Sequence, residues 1–284
     1  MKLFQNPVSE LIKNRKSWRT FSQKDIEDDK KSILTQKLSE LHPGPFGSKV
    51  RIKLIKLPDA SAKGIRLGTY GMIKGANEFV VGAVNEGPSA MVDFGYLFEC
   101  AVLAATDQDL ATCWLGGTLT RDAFAKAVEA EQNEIVPAIS PLGYPEAKRS
   151  LLDRAIRASA GSKKRKTWDK IFYLGNFGSP LSDRDAQEYQ LPLEMVRLAP
   201  SASNRQPWRI VMDPKRLAFD FYLSRTPGYH SLTSVDLQEI DMGIAMSHFH
   251  LTANEQGIQG RWTHREVEHR ELPSNTFYMF SWLT

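Results

Sequence analysis

Residues 93–114 read DFGYLFECAVLAATDQDLATCW and residues 241–262 read DMGIAMSHFHLTANEQGIQGRW, one pattern displaced by 148 positions. Asp93, Gly95, Leu103, Ala105, Gln108 and Trp114 fall without a gap on Asp241, Gly243, Leu251, Ala253, Gln256 and Trp262. Between these anchors Phe94, Leu97, Phe98, Ala101 and Ala105 answer to Met242, Ala245, Met246, Phe249 and Ala253. That i, i+3, i+4, i+7 spacing is the stripe of a buried helix face. Each copy therefore predicts a helix that starts near an Asp able to cap it, a short turn (107–109 and 255–257), and a segment ending in Trp. Self-similarity of this kind marks an internal repeat and governs how every other motif is read.

The repeat extends upstream. Arg51-Ile52 and Arg209-Ile210 each open a predicted strand after a proline-containing loop, residues 43–48 in the first copy and 199–208 in the second. The copies are unequal. The first, residues 1–180, adds a helix at 8–14, a turn at Gly116-Gly117, a helix at 120–131 and a closing strand at 170–174; the second, residues 181–284, stops after a strand pair. Helices alternate with β-rich runs such as Phe79 to Val84, so the expected class is α+β, with two related halves in one chain.

Composition sets the outer limits. A chain of 284 residues can build one large domain or two ordinary ones. Its 42% hydrophobic and 25% charged residues exclude a disordered or fibrous class. The net charge of +4 is small, and apart from Lys163-Lys164-Arg165-Lys166 the cations are dispersed, so no nucleic-acid partner is expected. Cys100 and Cys113 match no metal-ligand or redox spacing and suit a reducing compartment. Met1 to Ile12 has no apolar core of a leader, and no stretch has the length of a membrane span, so the expected location is the cytoplasm, with no membrane partner.

Four stretches could carry chemistry. In the loop from Ala199 to Trp208, Pro200 and Pro207 stiffen the backbone, while Ser201, Ser203, Asn204 and Gln206 supply more donors and acceptors than a turn needs. It reads as a loop for a flat, polar ligand. Arg15-Lys16-Ser17-Trp18-Arg19 fits a phosphate clamp, because guanidinium forks bind phosphate oxygens bidentately; a solvated basic helix end fits the same residues. The run 163–166 fits a second phosphate contact or an exposed charged linker. Gly116-Gly117, just after Trp114, either lets a ligand approach the backbone or makes an ordinary turn. There is no GxSxG, HExxH, Walker loop or GxGxxG, and the six histidines lack metal spacing; His248 and His250 read as core or surface residues of a helix.

Arg15-Lys16-Ser17-Trp18-Arg19-Thr20-Phe21 and the Ala199 to Trp208 loop together resemble the nitroreductase-like flavoprotein superfamily, in the subgroup labelled "putative TM nitroreductase". Members carry Arg-x-Ser-x-Arg-x-Phe and Ala-Pro-Ser-x-x-Asn-x-Gln-Pro-Trp. The resemblance implies a nitroreductase-like fold and FMN held noncovalently at a homodimer interface, the first motif coming from one subunit and the second from the other. It further implies NADH or NADPH as electron donor and a small aromatic, quinone or nitro acceptor. The implied cofactor contacts are Arg15, Lys16, Ser17 and Arg19; Leu115, Gly116 and Gly117; Arg165 and Lys166 as a basic pair ahead of a closing strand; and Pro200, Ser201, Ala202, Ser203 and Asn204. No catalytic side chain and no metal is implied, since the flavin carries the chemistry. Here the two motifs lie in different copies, and the second copy has no Arg-x-Ser-x-Arg segment ahead of its loop. The expectation is a fused pseudo-dimer with one of two symmetric sites retained, a monomer imitating the family dimer and still able to self-associate. The alternative is an FMN-binding protein without redox turnover.

Overall fold

The apolar run at 79–84 is a strand, β2 (Glu78–Asn85), covered on both faces. Val80 and Val84 belong to the main core, while Phe79, Val81 and Ala83 pack with Phe124 and Val128 in a second cluster on the opposite side. Covering on both sides is why the strand reads as a continuous hydrophobic run instead of alternating. The computed structural model describes residues 3–41, 43–57, 73–116, 121–147, 153, 161, 164–215, 217–229, 235–267 and 271–284. Gly117, Lys163 and Thr120 lie outside them.

β2 pairs antiparallel with β1 (Val50–Lys56) and with β5 (Ile139–Gly143), which pairs with β3 (Ala111–Thr112); β4 (Glu134–Ile135) also pairs with β2. A second sheet runs β6 (Phe172–Leu174), β7 (Trp208–Met212), β8 (Ala218–Ser224), β10 (Thr276–Leu283) and β9 (Arg261–Thr263). Around these lie α1 (Val8–Asn14), α2 (Asp28–Ser39), α3 (Ala90–Thr106), α4 (Arg121–Val128), α5 (Gln190–Leu198) and α6 (Leu237–Glu255). The chain is thus α+β, as expected. The strand expected to close the first half is β6, yet it joins the second sheet, parallel to β7 with Phe172 opposite Ile210. Burying Ile171 and Phe172 completely against that sheet edge outweighs their place in the sequence.

The repeated helices are α3 and α6, and 148 positions separate them to within a residue at each end. Sequence periodicity suggests one buried stripe; both helices are instead buried on nearly every face, because each lies between a sheet and the other helix. They cross at glycine. A Cβ on Gly95 would sit 2.2 Å from the Ile240 carbonyl oxygen, and one on Gly243 would sit 2.0 Å from that of Val92. The 148-residue shift turns the first contact into the second. Reciprocity of this kind is what a twofold axis imposes on an interface.

The two aspartates of the repeat do not cap these helices. Asp93 lies in the first turn of α3 and Asp241 just beyond the first turn of α6, and α6 is capped by Asp236, whose carboxylate accepts from the Gln238 and Glu239 amides. The repeat aspartates hold the proline loops instead. Asp93 accepts from the amides of Phe46 (2.9 Å) and Ser48 (2.8 Å), and Asp241 accepts from that of Ala202 (2.9 Å). A buried carboxylate gains more from loop amides with no strand or helix partner than from a helix start that other groups can satisfy.

Replacing Gly95 or Gly243 by Ala is expected to lower the unfolding free energy by about 1–3 kcal/mol, since a methyl group would overlap backbone that cannot rotate away. Urea unfolding midpoints indistinguishable from wild type in both variants would contradict backbone contact at the crossing.

Candidate functional site

The segment after α1 is extended and lies along β3. Ser17 bridges Thr112, and the Trp18 amide donates to the Thr112 carbonyl at 2.9 Å. Alternation along an extended chain puts Arg15, Ser17 and Arg19 on one face. They gather around Cys113, whose thiol burial pushes up against the charges of Arg19 and Arg15 and a hydrogen bond with Ser17. Lys16 is exposed and, with Trp18, Glu10 and Asp109, lines a groove of about 400 Å³.

The two arginines of the motif are not equivalent. Arg19 donates to Asp153 at 3.0 Å and forms an ion pair with that buried carboxylate. Arg15 is 7% exposed at its side chain and lies 3.7 Å from Glu99, beyond hydrogen-bonding reach. Its Nε and Nη1 have no hydrogen-bond partner among the described residues. A second cation approaches it from far along the chain. Burial, with the charges of Arg15 and Arg197, brings the Arg165 guanidinium down to about 10. Arg165 donates Nη2 to the Leu198 carbonyl at 3.1 Å and Nη1 to the side-chain oxygen of Asn204. Arg15 therefore keeps unused donors while a second desolvated guanidinium lies in its electrostatic range.

The polar loop is held in a strained form. Ser203, Asn204 and Gln206 have φ of 49°, 54° and 50°, in the left-handed region that side chains other than glycine avoid. What fixes them is visible: Ala202 on Asp241, the Gln206 amide on Ser201 Oγ at 2.9 Å, and Asn204 Nδ2 on the carbonyls of Gly161 and Lys164, each at 2.9 Å. Asn204 thus spends its amide on the 161–165 segment and on Arg165. Lys166 is anchored to the same loop, donating from its backbone amide to Gln206 Oε1 and from Nζ to the Gln206 carbonyl. Burial and the charges of Arg209 and Arg205 lower that amine to about 8. Ser203 reaches outward to the Tyr229 hydroxyl at 3.1 Å, and Pro200 and Ser201 are half-buried.

Leu115 pairs with Ile139 through both backbone groups, and Gly116 lies against the start of α6, where a Cβ would meet Leu237 at 2.8 Å. The structure thus bonds Arg165 to Asn204 with Arg15 in electrostatic range of Arg165, stations Ser17 and Arg19 beside Cys113, and puts Lys16 and Arg15 along the groove.

Sequence reading passed over the residue that ties these pieces together. Glu99, fully buried, accepts from Trp114 Nε1 at 2.7 Å and faces His248 Nε2 at 3.0 Å; His248 Nδ1 lies 2.8 Å from the Met195 carbonyl of α5. One carboxylate therefore touches the arginine segment, the residue preceding Leu115, and, through His248, the helix that delivers the loop. Its signal was a lone acid amid the apolar run Phe94 to Ala105. A second omission is Arg165-Lys166-Thr167-Trp168, which repeats Arg15-Lys16-Ser17-Trp18 at a shift of 150 positions. This counterpart of the arginine segment lies ahead of the second loop though within residues 1–180, and it departs at the fifth position, Asp169 in place of Arg19. Among the described residues no cluster of acids, histidines and cysteines could hold a metal, and no helix is long and apolar enough to cross a membrane.

A family model described as "Putative TM nitroreductase" matches residues 7–253, and the chain belongs to that family. Its fold is shared by the crystal structure of a "putative nitroreductase" from Thermotoga maritima MSB8, at 21% identity over 98% of this chain and 94% of that one, with a TM-score of 0.59. Shorter proteins match about half of the chain. A nitroreductase with bound FMN from Bacteroides fragilis NCTC 9343 is 21% identical over 52% of this chain and 92% of its own, with a TM-score of 0.40. A "putative NADH oxidase" from Clostridium acetobutylicum is 20% identical over 49% and 89%, with a TM-score of 0.40. No curated protein matches.

The inequality of the arginines predicts opposite behaviours. Inorganic phosphate is expected to raise the melting temperature of the wild type, and Arg15→Ala to abolish that rise. Arg19→Ala is expected to destabilise the protein by about 3 kcal/mol with or without phosphate, because it strips a partner from a buried carboxylate. Thermal melts of both variants across a phosphate series separate the two; an undiminished phosphate response in Arg15→Ala would remove Arg15 from the anion site.

Proposed function

We propose that this protein is an FMN-dependent oxidoreductase that accepts hydride from NADH or NADPH and passes electrons to a small aromatic, quinone or nitro compound. The observation that carries the reading is Arg15, buried with Nε and Nη1 unpartnered and with the positive Arg165 in electrostatic range. The phosphate of FMN is a dianion with oxygens enough for both guanidiniums, so the residues present fit the group. When bound, FMN supplies the hydride and electron chemistry.

The chain's own residues bind and orient. Arg15 and Arg165 hold the phosphate, with Ser17 as neutral donor and Arg19 bracing the segment through Asp153. Asn204 fixes the Arg165 fork and so belongs to the site through it. Gly116 and Ala202 offer backbone and almost no side chain, which leaves room for a flat ring; Leu115, Pro200, Ser201 and Ser203 complete the walls. Lys16 and Lys166 add positive potential from either side.

We read the two halves, 1–180 and 181–284, as standing to one another as subunits of a homodimer do, with the whole a cytoplasmic monomer. The reciprocal crossing at Gly95 and Gly243 and the matching grip of Asp93 and Asp241 on the loops support that reading. The crossing of β6 into the second sheet ties the halves together.

The test is an FMN titration of the purified protein followed by visible absorbance and flavin fluorescence. Tight uptake is expected, with Arg15→Ala and Asn204→Asp each weakening it roughly 10- to 100-fold, the first by losing a charge-assisted contact and the second by neutralising Arg165 with a carboxylate that cannot donate to the Gly161 and Lys164 carbonyls. Protein that takes up no FMN would sink the proposal. Bound FMN without oxidation of NADH or NADPH, when quinones and nitroaromatics are offered, would leave flavin binding without turnover.

A further inference from the structure

In each of the two related halves, the segment after the repeat tryptophan can be set against the proline loop held by the opposite helix; Gly116 lies against Leu237, one turn from the Asp241 that holds Ala202. In the place assigned above to FMN, these are Gly116, after Trp114, and Ala202, held by Asp241. In the other, the 148-residue shift puts His264 at the position of Gly116. Phe46 stands where Ala202 does, because its amide is the one that Asp93 Oδ1 accepts from, as Asp241 Oδ1 accepts from Ala202. Two of the smallest residues have become two rings.

Those rings touch. The Phe46 and His264 ring centroids are 4.4 Å apart with planes inclined by 31°, and the Phe280 ring lies 5.8 Å from that of Phe46. His264 is fixed in place by its Nδ1, 2.9 Å from the Met279 carbonyl. At that separation the rings are in contact, and no third ring fits between them.

We infer that the counterpart of the FMN site is closed by the stacked side chains of Phe46 and His264, so that each chain carries a single FMN. The inference rests on the FMN reading above. The phosphate end differs in the same sense. The segment 165–169 that repeats the arginine segment has its Arg165 taken up by Asn204 of the FMN loop and carries Asp169 at its fifth position, an acid where Arg19 stands. At the helix crossing, the shift that relates the halves carries the Glu99–His248 contact onto Ser247 and Cys100, 3.6 Å apart. The position related to Glu99 thus holds Ser247 and no carboxylate.

The test is the number of flavins per chain. The full-length protein is saturated with FMN, freed of excess by gel filtration, and its flavin absorbance is compared with its concentration from amino-acid analysis. One FMN per chain is expected in the wild type. Phe46→Ala combined with His264→Gly is expected to admit a second, at least tenfold weaker. Two FMN per wild-type chain would overturn closure while upholding FMN binding; no uptake would overturn the FMN reading and this inference with it. A double variant that still takes only one would show that the rings are not what shuts the site. Should the double variant fail to fold, His264→Gly alone, at an exposed position, carries the same comparison.

Discussion

Everything in this molecule is arranged around the contact of two helix backbones at Gly95 and Gly243. With no side chain at either position, α3 and α6 approach until the Cβ of one would overlap the carbonyl of the other. The approach buries both helices on nearly all faces, which forces their polar residues to find partners inside the protein. Asp93 and Asp241 find the loop amides. Glu99 and His248 find each other across the crossing. A looser crossing would let water reach these groups, and the loops would lose the carboxylates that hold them.

The unused donors of Arg15, on which the proposed anion site rests, follow from where the buried charges end. Glu99 is a single carboxylate, and it already serves His248 and Trp114 at hydrogen-bonding distance. Arg15, at 3.7 Å, receives its electrostatic influence without a hydrogen bond. Had Glu99 bonded Arg15 fully, the guanidinium would be spent, as Arg19 is spent on Asp153. Had no carboxylate been near, a cation this buried would be costly to fold around. The intermediate arrangement leaves donors unused and the site positive.

How much of this was legible in one dimension depends on the range of the interactions. The repeat, α1 to its residue limits, β2, and the positional match of loops 43–48 and 199–208 all come from local spacing, and local spacing is what a sequence displays. β6 could be seen as a strand, yet its partner is β7, and parallel pairing leaves no mark in either strand. α2 went unread because most of Asp28 to Ser39 is charged or polar and only Leu34, Lys37 and Leu38 are buried. Lys37 is held inside by Asp107 at 3.2 Å, a pairing 70 residues long. The kinship of Arg165 to Trp168 with Arg15 to Trp18 was masked by a shift of 150 in place of 148 and by Thr for Ser. The inequality of Arg15 and Arg19 was beyond reach, since it depends on which of them meets Asp153.

Backbone strain separates the halves as clearly as side chains do. The loop of the first half turns at Gly47, whose φ of 87° costs a glycine nothing. The corresponding loop of the second half puts Ser203, Asn204 and Gln206 into the left-handed region, at about 1–3 kcal/mol each by the usual cost of such residues. Asp241, Ser201 and the 161–166 segment hold it there. Strain of that size persists only where the surroundings over-determine it, and here the surroundings include Arg165, which bonds to the strained Asn204 itself. The shape of the second loop and the placement of the cation are therefore one arrangement. The first half, with a relaxed turn and a phenylalanine in the corresponding place, has neither, so the asymmetry between the halves is built into the main chain and would survive the repair of any single side chain.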